Sequence, residues 1–160
     1  MSPTYVTAYA ANPIRQALEQ YLEADTALMA LLTGGVFDAD DLPQEGMGQG
    51  WVPRLPDSPR IAPFCVVAWK STNRFGQFQL RAGVQTLEIY VYQDTGYDTI
   101  KQATTRLIEL LDDSYWTVSD QSKTHFEWTT TGPETMDDGL ADAPLQFVRF
   151  EVKSTPKMQE

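Results

Sequence analysis

Between Asn12 and Asp38 the chain reads NPIRQALEQYLEADTALMALLTGGVFD, a succession of elements with little slack. Asn12 is placed to cap a helix, and Pro13 fits its first turn, where no amide hydrogen is needed. Ile14, Leu18, Tyr21 and Leu22 then recur at helical spacing on one face. Asp25 offers a second cap, for a shorter helix carrying Leu28, Leu31 and Leu32. Gly34 stands where a left-handed residue would stop that helix. Val36-Phe37-Asp38 reads as the start of a strand. No catalytic group falls in the stretch, so it predicts scaffold before chemistry.

Downstream, from Asp38 to Ala62, the pattern dissolves into Asp, Gly and Pro. Such long irregular loops are usually functional or mobile, and Met47, Trp51, Val52 and Leu55 predict that this one docks on something. Order returns at Pro63–Lys70, with Phe64, Val66 and Ala68 on one face and Cys65, Val67 and Trp69 on the other. Apolar residues on two faces mark a central strand or one covered by a partner. Residues 71–82 read as a long hairpin tip. Gly83–Gln93 is the clearest strand, with Leu87, Ile89 and Val91 facing one way and Thr86, Glu88, Tyr90 and Tyr92 the other. A helix follows from about Asp98 to Asp113, its stripe made by Ile100, Ala103, Leu107, Ile108 and Leu111. Two further strands are predicted near Thr124–Thr131 and Pro144–Ser154, the latter directing Val148, Phe150 and Val152 inward. Between them lies the acidic loop Gly132–Ala143. This order fits an α+β fold, an antiparallel sheet of four to five strands with helices packed on one face. At 160 residues it is read as a single domain, 1–160.

Composition narrows the function. A formal charge of -10 argues against tight nucleic-acid binding, which clustered Lys and Arg drive, although a negative surface lets DNA pass without capture. The single cysteine, Cys65, excludes an internal disulfide and a multi-cysteine zinc site, and its apolar neighbours make it a core residue. No apolar run approaches the roughly 20 residues of a membrane helix, so no membrane partner is expected. Met1-Ser2-Pro3-Thr4-Tyr5 lacks the marks of a signal peptide, which predicts synthesis and residence in a cytoplasm.

Candidate chemistry is sparse. His125, the only histidine, has no nucleophile or carboxylate marked as its partner by any motif and reads as structural. Asp38, Asp40 and Asp41 lack the central glycine and closing glutamate of a calcium loop, as do Asp137, Asp138 and Asp142, so both groups read as solvated carboxylates. Gly46, Gly48 and Gly50 neither follow a strand nor open a helix, which rules out a phosphate loop. Arg74, Phe75, Phe78 and Arg81 on the hairpin have the composition of a protein interface, with a small nucleic-acid contact as the alternative. Tyr90 and Tyr92, near Trp69, read as packing or a subunit contact, with a ligand pocket as the alternative. No reaction can be assembled from these parts. A non-enzyme without cofactor or metal is expected.

Three segments together resemble the tail terminator, or tail completion, proteins of long-tailed phages and prophages. They are Ala17 through Asp38, the strand opening Pro63-Phe64-Cys65-Val66-Val67 after a proline-rich loop, and Leu87-Glu88-Ile89-Tyr90-Val91-Tyr92 with Gly96-Tyr97-Asp98 and the helix ending Leu107-Ile108-Glu109-Leu110-Leu111. The matching order covers most of Ile14 to Lys153. The loops 38–62 and 132–143 depart from the family's pattern, the first by its length. The resemblance implies a small α+β protein forming a homohexameric ring on the head-proximal end of the tail tube, in the virion, after assembly in the host cytoplasm. Such a ring stops tube polymerisation and offers the head its attachment surface. The implied partners are copies of itself, the tail tube protein and a head-tail connector or head-closure protein, with DNA passing through the lumen. The family has no catalytic residues to carry over. The expected interface residues are Arg74, Phe75, Phe78, Arg81, Trp69, Tyr90, Tyr92 and Trp51. Two other roles fit the same residues: a head-closure ring at the neck, and a small-molecule-binding regulatory domain using the Tyr90, Tyr92 and Trp69 face.

Overall fold

The computed structural model describes residues 2–42, 51–74, 83–137 and 143–156. Helix α1 spans Ile14–Ala24 and α2 spans Thr26–Leu31. Asp25 separates them and caps α2 as its position predicts, its Oδ2 accepting the Leu28 amide at 2.9 Å. Asn12 does not cap α1. Its side-chain amide donates to Gln20, and the first free amide of the helix, at Ile14, is instead accepted by Asp120 Oδ1 at 3.0 Å. The stop after α2 also differs. Gly35, with φ +101°, is the left-handed residue, whereas Gly34 is required by crowding. A Cβ there would lie 2.7 Å from the Ala62 carbonyl oxygen and 2.9 Å from that of Pro63.

The strands are β1 (Thr4–Val6), β2 (Gly35–Asp38), β3 (Phe64–Arg74), β4 (Gly83–Tyr92), β5 (Ser114–Trp116), β6 (Gln121–Thr131), β7 (Thr135–Asp137) and β8 (Ala143–Pro156). They form one sheet in the order β1-β5-β6-β8-β4-β3-β2, with β7 on the end of β8. The expectation of four to five antiparallel strands is therefore corrected to eight strands among the described residues, and to a mixed sheet, because β1 pairs with β5 and β2 with β3 in parallel. The added strands β1, β5 and β7 have three residues each, too few to show an alternation. The predicted hairpin tip is partly ladder, since β3 and β4 stay paired out to Arg74 and Gly83.

Helix α3 (Asp98–Leu111) joins α1 and α2 on one face of the sheet. Its start is organised by Gln93, whose Oε1 accepts the Ile100 amide at 2.8 Å while its Nε2 donates to Asp98 Oδ1 at 2.8 Å. That bond, first among several, holds the Asp98 carboxyl below its ordinary range. The main core lies between helices and sheet. Leu18, Leu22, Leu28, Ile100, Leu107 and Leu111 meet Cys65, Val67, Leu87, Ile89, Phe126, Val148, Phe150 and Val152, as the alternation in β3, β4 and β8 predicts. Burial pushes the Cys65 thiol up to about 12. Arg106 of α3 ties the layer together through Asp25, at 2.9 and 2.7 Å. These bonds hold the Asp25 carboxyl below its usual value.

Candidate functional site

The helices leave the other face of the sheet open, and period-two alternation decides what it presents. Three zones follow one another along the strands. At one end Phe64 and Val66 of β3, Tyr92 of β4 and Ala143 and Leu145 of β8 form a second apolar cluster with Val52 and Ile61. Phe64 stacks on Tyr92 at 4.7 Å, and Trp51 and Phe37 each meet Phe64 edge-on. The cover over this end is therefore supplied by residues 51–62 of the same chain, packed on β3, β4 and β8.

The middle zone is ionic. Glu88, 7% exposed, accepts from Arg149 Nη2 at 2.8 Å and Nε at 3.1 Å through one oxygen, and from the Tyr90 hydroxyl at 3.0 Å through the other. Lys70 Nζ lies 3.8 Å from Glu88 and 5.5 Å over the Tyr90 ring. Burial, and then the bond to Glu88, pushes the Tyr90 hydroxyl up to about 12. A buried carboxylate beside two cations is stable only when hydrogen-bonded, which the three bonds from Arg149 and Tyr90 accomplish, with Lys70 adding charge. Glu88, Arg149 and Lys70 line a trough of about 520 Å³ with Thr86, Thr130 and Glu151. The third zone is aromatic. Tyr5, 70% exposed, stacks on Tyr115, 43% exposed, at 5.6 Å, and Tyr115 packs on His125 at 4.5 Å.

Of the residues expected at an interface, Tyr90 and Tyr92 share the open face. Trp69 does not join them. It faces the helices, 6.4 Å from Phe126 and under the Arg15 guanidinium, so the three do not build one pocket. Ladder pairing to Leu87 fixes that orientation. Trp51, half-buried, packs on Phe37 and Phe64 of its own chain. Arg74 is placed by its backbone at the end of β3. Phe75, Phe78 and Arg81 lie outside the described residues, as do Met47, Gly46, Gly48, Gly50, Asp138 and Asp142.

The two-sided apolar pattern of β3 is satisfied inside the chain, by helices on one face and residues 51–62 on the other, so it does not itself call for a partner. His125 Nε2 sits 3.0 Å from Asp113 Oδ1, a pairing with no sequence motif behind it. Asp38 caps the turn at Asp40, and Asp40 pairs with Arg15. Glu19, beside Glu23, Asp38 and Asp41, has its carboxyl raised by burial and then by these like charges. Among the described residues no group of three or more His, Cys, Asp or Glu is placed to hold a metal ion. Sequence reasoning passed over Glu88, whose only signal was a charged residue within an otherwise apolar strand. It also passed over Tyr5 and Tyr115, which become neighbours only through the parallel pairing of β1 with β5.

Neither a protein-family model nor a curated protein matches the sequence. In structure the chain is similar to a chain described as belonging to the virion of a native gene transfer agent (GTA) particle, with TM-score 0.56 and 17% identity over 89% of this chain and 94% of that one. At that identity the likeness speaks for the fold. The two share an α+β architecture, which in this chain is a mixed, mainly antiparallel sheet with helices on one face.

Proposed function

We propose that this chain is a structural protein of a phage-like virion. Within that class we assign it to the tail: a homohexameric ring that caps the head-proximal end of the tail tube, ends tube polymerisation and provides the surface for head attachment. The observation that carries the reading is the fold likeness to a chain of a gene transfer agent virion across 89% of the sequence. The finer assignment rests on the three segments, 17–38, 63–67 and 87–111, that resemble tail terminators. On this reading the partners are further copies of the chain, the tail tube protein and a connector or head-closure protein. The charge of -10 on each copy suits a lumen through which DNA slides without capture. The exposed Tyr5 and Tyr115 add apolar surface of the kind that subunit contacts bury.

Electron microscopy of the purified protein, alone at high concentration and mixed with tail tubes, tests this. Rings of one fixed copy number seated on a single end of each tube are expected. A protein that stays monomeric in both settings refutes the assignment. Rings that bind a head-side connector and ignore tubes move it to head closure.

A further inference from the structure

Residues 51–62 cross the apolar end of the open face without joining the sheet. Their two limbs meet in one isolated bridge, Arg54 to Ile61, with the Leu55 amide on the Arg60 carbonyl at 2.9 Å and the Ala62 amide on the Pro53 carbonyl at 3.0 Å. At the tip Asp57 has φ +62°, a conformation that costs a non-glycine residue energy. Among the described residues, the polar tether to the scaffold comes from one side chain. Asp94, just past β4, accepts the Ile61 amide at 3.0 Å through Oδ1 and Arg60 Nε at 3.1 Å through Oδ2. Beside this latch a cavity of about 190 Å³ opens between Leu55 and Ile61 on one side and Gln93 and Thr95 on the other. The surface beneath belongs to a different unit. Phe64, Val66, Tyr92 and Leu145 sit on β3, β4 and β8, whose opposite faces are anchored in the main core.

We propose that residues 51–62 are a releasable strap. It opens as a unit when the Asp94 latch lets go, leaves the sheet intact and uncovers the apolar end of the open face. The physical basis is the disparity between the two units. The strap is held by a short bridge, the apolar side chains of Trp51, Val52 and Ile61 and one carboxylate, while the strands below share long ladders and a core of their own. Local units of the first kind open at lower free energy than the global transition. The device is a property of the fold and stands whether or not the chain assembles into rings.

Native-state hydrogen exchange tests it on the full chain. In the wild type, the Ile61 and Ala62 amides exchange through an opening with little denaturant dependence, while amides of β4 and β8 exchange only on global unfolding. Asp94→Ala speeds exchange at Ile61 and Ala62 by at least ~10-fold, the scale of losing a hydrogen bond to a charged group, and leaves β4 and β8 unchanged. It also raises binding of the dye ANS to the newly exposed apolar surface. Strap and strand amides sharing one denaturant dependence in the wild type would overturn the proposal, as would strap rates unchanged in Asp94→Ala. If that variant fails to fold, the wild-type measurement decides.

Discussion

Asp25 performs two tasks that substitution can separate. Its carboxylate caps α2 through the Leu28 amide, and it receives two bonds from Arg106 of α3. Asparagine keeps the cap and loses the charge, whereas alanine loses both. A cap contributes about 1 kcal/mol. Hydrogen bonds to a charged group contribute about 1.5–3 kcal/mol. Solvent at the Arg106 side chain, 33% exposed, screens the pair and moves it to the lower end. Asp25→Asn is therefore expected to cost about 1–2 kcal/mol at neutral pH, and Asp25→Ala about 2–3 kcal/mol, in urea unfolding. For a chain of this size the alanine variant should melt roughly 4–12 °C lower. In an Arg106→Ala background, the asparagine substitution should cost almost nothing. Because Arg106 holds the folded-state carboxyl below its usual range, the advantage of wild type over Asp25→Asn is fully present above the unfolded value of about 3.9. It shrinks as pH falls through the lower folded-state value. A gap that stayed constant from about pH 7 to about pH 2 would refute the ion-pair account. Equal costs for asparagine and alanine would refute the cap.

Three further outcomes follow from local geometry. Gln93→Ala leaves the buried Ile100 amide without its acceptor and should cost about 1–3 kcal/mol, with faster hydrogen exchange confined to the first turn of α3. Gly34→Ala drives a methyl group against two carbonyl oxygens and should destabilise by about 1–3 kcal/mol, while Gly35→Ala meets open space and is penalised by its φ alone, about 1–2 kcal/mol; urea midpoints of the pair compare the two causes. Cys65, buried and with its thiol pushed up to about 12, should react with DTNB only as fast as the chain unfolds, so labelling within the mixing time would place it outside the core.

What was legible in the sequence was periodic. The stripe Ile14, Leu18, Leu22 gives α1, the alternation Leu87, Ile89, Val91 gives β4, and Val148, Phe150, Val152 gives the inward face of β8; all are buried as their spacing demands. What escaped was held by partners remote in the chain. Asp120 caps α1 from 106 residues away, and β1 and β5, with three residues apiece, acquire strand character only by pairing with each other. The open face was half legible. Tyr90 and Tyr92 were read as aromatics on one side of β4, but the register of β3 sends Trp69 to the other side of the sheet. Glu88 shows a further limit, since its burial depends on Arg149, a ladder neighbour 61 residues on.

Strand β8 gives the sheet a particular assembly history. It lies between β4 and β6, which touch only through it, yet residues 143–156 follow every strand with which they pair. Until that segment is made, the chain can build two half-sheets, β2-β3-β4 and β1-β5-β6, each ending in a long raw edge, the one at β4 rich in apolar side chains. Such edges are templates for pairing with other chains. A nascent or truncated chain lacking β8 is thus predisposed to intermolecular aggregation, and the insertion of this one ribbon joins two adhesive fragments into one sheet without those edges.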